Sequence, residues 1–126
     1  MHVLIVDDDE AVAECCRRVL EMEGMTVRMV GTVDDALRAL EEPPAVDLVL
    51  TDIKMPGREG HELIPPARRI HPSLRFLVMT GFQTATSRMR SMESGADGWI
   101  GKPFSPDELL AAVRAAVNSN TEREHE

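Results

Sequence analysis

An open parallel α/β sheet with helices on both faces is the fold class this sequence predicts, and three observations carry it. Short β-branched or aliphatic runs alternate strictly with helical patterns, five of each. The first run, Val3-Leu4-Ile5-Val6, is continuously apolar, which suits a strand buried on both sides. The length, 126 residues, is that of one domain with its own core, with no linker or internal repeat to divide it.

The elements follow in order. β1 is expected over Val3–Val6 and stops at Asp7-Asp8-Asp9. Val12, Cys15, Cys16, Val19 and Leu20 recur at helical spacing in α1 (12–20), and Gly24 offers a C-terminal stop. β2, Thr26–Val30, alternates and reads as an edge strand. Thr32 offers an N-cap to α2 (33–40), which carries Val33, Ala36, Leu37 and Leu40 on one side and ends at Pro43-Pro44. β3, Val46–Thr51, closes on Asp52, and a loop with Met55-Pro56-Gly57 and Gly60 follows. α3 is expected near His61–Ile70, shortened or kinked by Pro65-Pro66. β4, Arg75–Met79, closes on Thr80-Gly81. The Ser/Thr-rich segment Thr84–Glu93, with Ala85, Met89 and Met92 at helical spacing, predicts a weak α4. β5, Gly98–Gly101, closes on Lys102-Pro103. Ser105, Pro106 and Glu108 supply an N-cap, a proline at N1 and an acid at N3 for α5 (106–117), with Leu109, Ala112, Val113, Ala116 and Val117 inward. The domain is expected over 1–118, and residues 119–126 read as a polar, frayed tail.

Charge and composition narrow the function. Fourteen Lys and Arg against 22 Asp and Glu give a net charge of −8, which repels DNA phosphates and argues against direct nucleic-acid binding. No apolar run reaches the roughly 18 residues of a membrane span, and no basic segment precedes an apolar one as in a signal peptide. Cys15 and Cys16 are adjacent, so a mutual disulfide would be strained; they read as reduced packing residues of a cytoplasmic protein. His2, His61, His71 and His125 are scattered, and His2 begins β1 at the end opposite the acids.

In open parallel sheets ligands bind at the carboxyl ends of the strands, where strand order reverses. Those ends carry Asp7 and Asp8 on β1, Asp52 on β3, Thr80 on β4 and Lys102 on β5. With strand order 2-1-3-4-5, β1 and β3 are neighbours and their carboxylates converge. A single acid in such a place reads as a helix cap; four of five strands ending in such groups reads as a site. Clustered carboxylates repel, and a divalent cation resolves the conflict. The donors are all oxygens, which points to Mg²⁺, with Mn²⁺ as a substitute, rather than zinc. Lys102 and the Thr80 hydroxyl would complete a clamp for a phosphoryl group.

Together, Val6-Asp7-Asp8, Leu50-Thr51-Asp52-Ile53-Lys54-Met55-Pro56-Gly57, Met79-Thr80-Gly81 and Gly95-Ala96-Asp97-Gly98-Trp99-Ile100-Gly101-Lys102-Pro103-Phe104 resemble the receiver domain of two-component response regulators. The resemblance spans residues 2–118 and implies a flavodoxin-like (βα)5 fold. It implies that Asp52 is the phosphoacceptor for a phosphohistidine on a sensor histidine kinase or phosphotransfer protein. It implies Asp8 as principal metal ligand, Asp7 as ligand directly or through water, and Asp52 and the Lys54 backbone carbonyl as the rest of the set. Thr80 would be the switch hydroxyl, Trp99 the switch aromatic and Lys102 a partner of a phosphoryl oxygen, with Lys102–Pro103 cis. A signalling switch rather than an enzyme is implied, assisting its own phosphotransfer and autodephosphorylation. Phosphorylation would change the α4–β5–α5 face, read by an effector protein or an output domain outside this chain, in a monomer or weak dimer. Arg58-Glu59-Gly60 departs from the family's frequent Met-Asp-Gly, and Pro65-Pro66 is unusual in α3.

Two other classes are less well served. A metal-dependent phosphohydrolase with an aspartyl nucleophile often carries a second acid two residues on, where this chain has Lys54. A flavodoxin needs a phosphate-cradling first loop, whereas this one is triply acidic. Trp99 has core packing as its simpler reading, and Met89 and Met92 read as core.

Overall fold

The computed structural model describes residues 1–55, 58–81, 93 and 95–124. In chain order the main elements are β1 (His2–Val6), α1 (Glu10–Met22), β2 (Thr26–Val30), α2 (Val33–Glu41), β3 (Leu48–Asp52), α3 (Ile64–Ile70), β4 (Arg75–Thr80), β5 (Gly98–Gly101) and α5 (Pro106–Glu124). The five strands form one parallel sheet in the expected order, β2-β1-β3-β4-β5, with β2 at an edge. Residues 84–92 of the predicted α4, including Met89 and Met92, lie outside the described residues, as do Pro56-Gly57 and His125.

The pleat sorts the apolar runs into two cores. Successive strand residues point to opposite faces, so a strand covered on both sides must be apolar at every position. Leu4, Val6, Val49, Phe76 and Val78 pack with α2 and α3. Val3, Ile5, Leu48, Leu50, Leu77 and Met79 pack with α1 and α5. Trp99 and Ile100 divide the same way, Trp99 half-buried against the first core and Ile100 within the second.

Local signals set the helix ends. At the end of α1, Gly24 takes φ +85 while its N–H reaches Glu21 O and that of Met25 reaches Leu20 O, the paired bonds of a glycine C-cap. Thr32 caps α2 through a 3.0 Å bond from Asp35 N. Ser105 and Glu108 exchange backbone-to-side-chain bonds of 3.2 and 3.1 Å, a complete capping box. The proline pair does shorten α3. Gly60–Leu63 forms a 3-10 turn, and the helix starts at Ile64 with both prolines in its first turn, where a missing N–H costs little.

Some expectations need correction. Cys15 is exposed rather than packed in the core, because the buried stripe of α1 is Ala13, Cys16 and Leu20. The loop after β3 contains a small antiparallel ribbon, Lys54–Met55 against Arg58–Glu59. α5 is helical over Pro106–Glu124.

One polar cluster ties α3 to the entry of β5. Arg68 donates to Leu74 O at 3.3 Å, Gly95 O at 2.5 Å and Asp97 Oδ2 at 2.9 Å, and its guanidinium lies 5.2 Å from the Phe76 ring centre. Asp97 Oδ2 also accepts from Phe76 N at 2.8 Å, and its side chain is only 2% exposed. Gly95 takes φ +101, and a Cβ there would collide with the Arg68 guanidinium. Exposed ion pairs contribute at most about 1 kcal/mol, but a buried carboxylate with two donors is another case. Asp97→Ala should therefore lower unfolding stability by about 3 kcal/mol, seen as a lower urea midpoint with unchanged slope. A midpoint shift like that of an exposed pair would contradict this assignment.

Candidate functional site

Sheet register brings the predicted residues to one edge. β1 and β3 are in register up to Val6 opposite Thr51, so one further step puts Asp7 beside Asp52. Asp7 extends the β1–β2 ladder through its N–H to Val30 O at 3.1 Å, and Lys102 extends the β4–β5 ladder through its N–H to Thr80 O at 2.8 Å. Parity then assigns faces. Asp7 follows Val3 and Ile5, Asp52 follows Leu48 and Leu50, and Lys102 follows Ile100, all on the α1–α5 side. Thr80 follows Phe76 and Val78 on the opposite parity and is buried, opposite Gly101 in the register.

The side chains meet as that register requires. Lys102 Nζ lies 3.3 Å from Asp7 Oδ2 and 3.3 Å from Asp52 Oδ2. Asp7 is buried and Asp52 nearly so at 9% exposure, while Asp8 faces solvent. One oxygen from each of Asp7, Asp8 and Asp52 lies within 4.8 Å of the others. These are hard oxygen donors grouped at the distance a divalent cation spans, so the residues fit a metal of the Mg²⁺ or Ca²⁺ type.

Burial pushes the Asp7 carboxyl above the ordinary aspartate value of 3.8; the Asp9 amide opposes the shift, Asp52 adds to it and Lys102 offsets part of it. Burial disfavours the charge on Lys102, but Asp52 and Asp7 outweigh it and hold the ammonium above the ordinary lysine value. Behind the site, burial raises the Cys16 thiol to about 11, with Asp7 adding to the shift, so it is an inert packing group at neutral pH.

The remaining predicted residues take different places. The Lys54 backbone lies in the short ribbon two residues after Asp52. Trp99 pairs with Val78, two positions before the Thr80–Gly101 pair, and packs against the α2–α3 core rather than on the carboxylates. The Lys102–Pro103 peptide is cis. Two details escape the sequence reading. Lys102 bridges Asp7 and Asp52 directly. Asp9 caps α1 and also donates its N–H to Asp7 Oδ1 at 2.9 Å. An acid immediately before a helical pattern is a readable cap signal; the second bond is not visible in sequence.

Residues 3–114 match the sequence profile of the family described as response regulator receiver domain. The chain belongs to this family. It is 35% identical over 119 residues to the DNA-binding transcriptional regulator NtrC of Azospirillum brasilense, covering 94% of this chain and 24% of that protein. It spans about half the length of the mycobacterial response regulators MprA that it matches. Among solved structures it resembles a CheY-like receiver domain protein from Methanospirillum hungatei JF-1, with TM-score 0.85, 33% identity and 97% of each chain covered. It also resembles a Burkholderia pseudomallei response regulator with a phosphorylated aspartic acid, a calcium ion and citrate, with TM-score 0.82 and 28% identity, covering 98% of this chain and 72% of that one. The receiver is thus a two-component signalling module whose acidic triad can hold a metal ion. No helix among its described residues is long and apolar enough to cross a membrane.

A raised carboxyl pKa means that the folded receiver binds the Asp7 proton more tightly than the unfolded chain. Asp7 therefore costs stability as pH rises from below 3.8 through its folded-state value. Metal-free Asp7→Asn protein should melt higher than wild type at neutral pH, and the difference should vanish below pH 3.8. Equal melting temperatures at neutral pH would contradict the repulsion and burial described.

Proposed function

We propose that this receiver is a phosphorylation-controlled switch in which Asp52 takes a phosphoryl group from a phosphohistidine on a sensor histidine kinase or phosphotransfer protein. The observation that carries the reading is the bridge from Lys102 to both Asp7 and Asp52, at 3.3 Å each, beside the three-carboxylate cluster. An Asp52 oxygen attacks phosphorus, the P–N bond to the donor histidine breaks, and the imidazole leaves with that electron pair, giving an acyl phosphate. Asp7, Asp8, Asp52 and the Lys54 carbonyl would hold Mg²⁺, or Mn²⁺ in its place. When bound, the cation neutralises charge on the carboxylates and the phosphoryl oxygens.

The chain's own residues do the rest. Lys102 meets one phosphoryl oxygen, exchanging a carboxylate partner for a phosphate one, and the Thr80 hydroxyl donates to another. Trp99, two register positions from that threonine pair, reports the change on the face formed by β5, α5 and the predicted α4. An effector protein or an output domain elsewhere in a longer polypeptide reads that face, with the receiver acting as a monomer or weak dimer in the cytoplasm. Water later attacks the acyl phosphate and resets Asp52.

Incubation with acetyl phosphate and Mg²⁺ should add one phosphoryl group to the intact mass of the wild type and none to Asp52→Asn. Equal labelling of the two proteins would overturn the assignment. Lys102→Met should slow the labelling by roughly 100-fold, the usual effect of losing a charge-stabilising donor; an unchanged rate would remove Lys102 from the clamp. Beryllofluoride with Mg²⁺ should change Trp99 fluorescence more than Mg²⁺ alone, and no added response would remove Trp99 from the switch.

A further inference from the structure

Asp9 is the member of the Asp7-Asp8-Asp9 run that stands outside the three-carboxylate cluster. Its side chain serves the helix instead. Asp9 Oδ1 accepts from Ala11 N at 3.0 Å and from Val12 N at 3.3 Å, on an extended backbone with φ −87 and ψ 101, as an N-cap requires. Its own N–H points the other way and donates to Asp7 Oδ1 at 2.9 Å. The second oxygen of Asp7 meets Lys102, which in turn meets Asp52. An unbroken run of polar contacts therefore leads from the first turn of α1 to the phosphoacceptor position, and Asp7 is held at both oxygens.

We infer that Asp9 is a positioning residue: by capping α1 it aims its backbone N–H at Asp7 and fixes the orientation in which Asp7 meets Lys102 and a bound cation. This rests on the phosphoacceptor reading for its purpose. The cap acts through geometry, whereas the charge of an exposed carboxylate acts through a field that water and salt weaken. The two are separable by substitution. Asparagine and serine keep the cap and discard the charge. Glutamate keeps the charge, but its extra methylene carries the carboxylate past the amides of the first turn. Alanine keeps neither.

The experiment is calorimetric titration of Mg²⁺ into the full chain and its Asp9→Asn, Asp9→Ser, Asp9→Glu and Asp9→Ala variants, with Asp8→Asn as the control. Each is studied at a temperature where circular dichroism shows it fully folded, so that a loss of stability alone does not alter the affinity. Asp9→Asn and Asp9→Ser should bind within about twofold of wild type, and Asp9→Glu and Asp9→Ala roughly threefold to tenfold more weakly, the span of a lost cap. Retention by Asp9→Glu with loss in Asp9→Asn would make the charge the cause and overturn the inference. Equal binding by all four variants, or equal weakening of all four, would overturn it as well. Wild-type protein that binds no Mg²⁺, or Asp8→Asn protein that binds as well as wild type, would instead bring down the phosphoacceptor reading and the inference with it.

Discussion

Three carboxylates held at one sheet edge repel one another, and the rest of the site is arranged around that repulsion. One oxygen from each lies within 4.8 Å of the others, and Asp52 adds to the burial that raises the Asp7 carboxyl. Lys102 is the built-in counter-charge, touching two of the three acids. Three negative groups against that one ammonium still leave a formal surplus of two negative charges. A divalent cation held by the three acids would relieve the same burial and repulsion that raise the Asp7 carboxyl.

The fold supplies this edge at little cost to itself. Reversal of strand order between β1 and β3 sets two strand ends side by side, where open parallel sheets form a crevice. The strict two-residue pleat then carries Asp7, Asp52 and Lys102 onto the α1–α5 face and Thr80 onto the other parity. Below the edge, two apolar cores hold the strands in register, so the polar groups inherit their positions from apolar packing. The Arg68–Asp97–Gly95 cluster extends this rigidity to the segment that enters β5, and so to Trp99 and Lys102.

Much of this could be read from residue order, for a physical reason. A strand covered on both faces must be apolar throughout, so Val3–Val6 and Phe76–Met79 identify themselves, and the polar groups that end such runs, Asp7 and Thr80, are conspicuous. Caps at Thr32 and Ser105 and the glycine stop at Gly24 are local signals with local consequences. Contacts that depend on rotation about a helix axis or on distant partners were less accessible. Helical spacing alone does not distinguish exposed Cys15 from buried Cys16, because the two flank the margin of one stripe. The ribbon at Lys54–Met55 and Arg58–Glu59 is too short to leave a pattern. Arg68 and Asp97 lie far apart in the chain, and neither announces the other.

The most direct measurement is to localise the phosphoryl group by peptide mass spectrometry after incubation with phosphoramidate, a small P–N donor that mimics phosphohistidine, with and without Mg²⁺. The account predicts modification of the peptide containing Asp52, at that residue alone, and only when the cation is present. Modification at another residue, or equal modification of Asp52 without the cation, would contradict it.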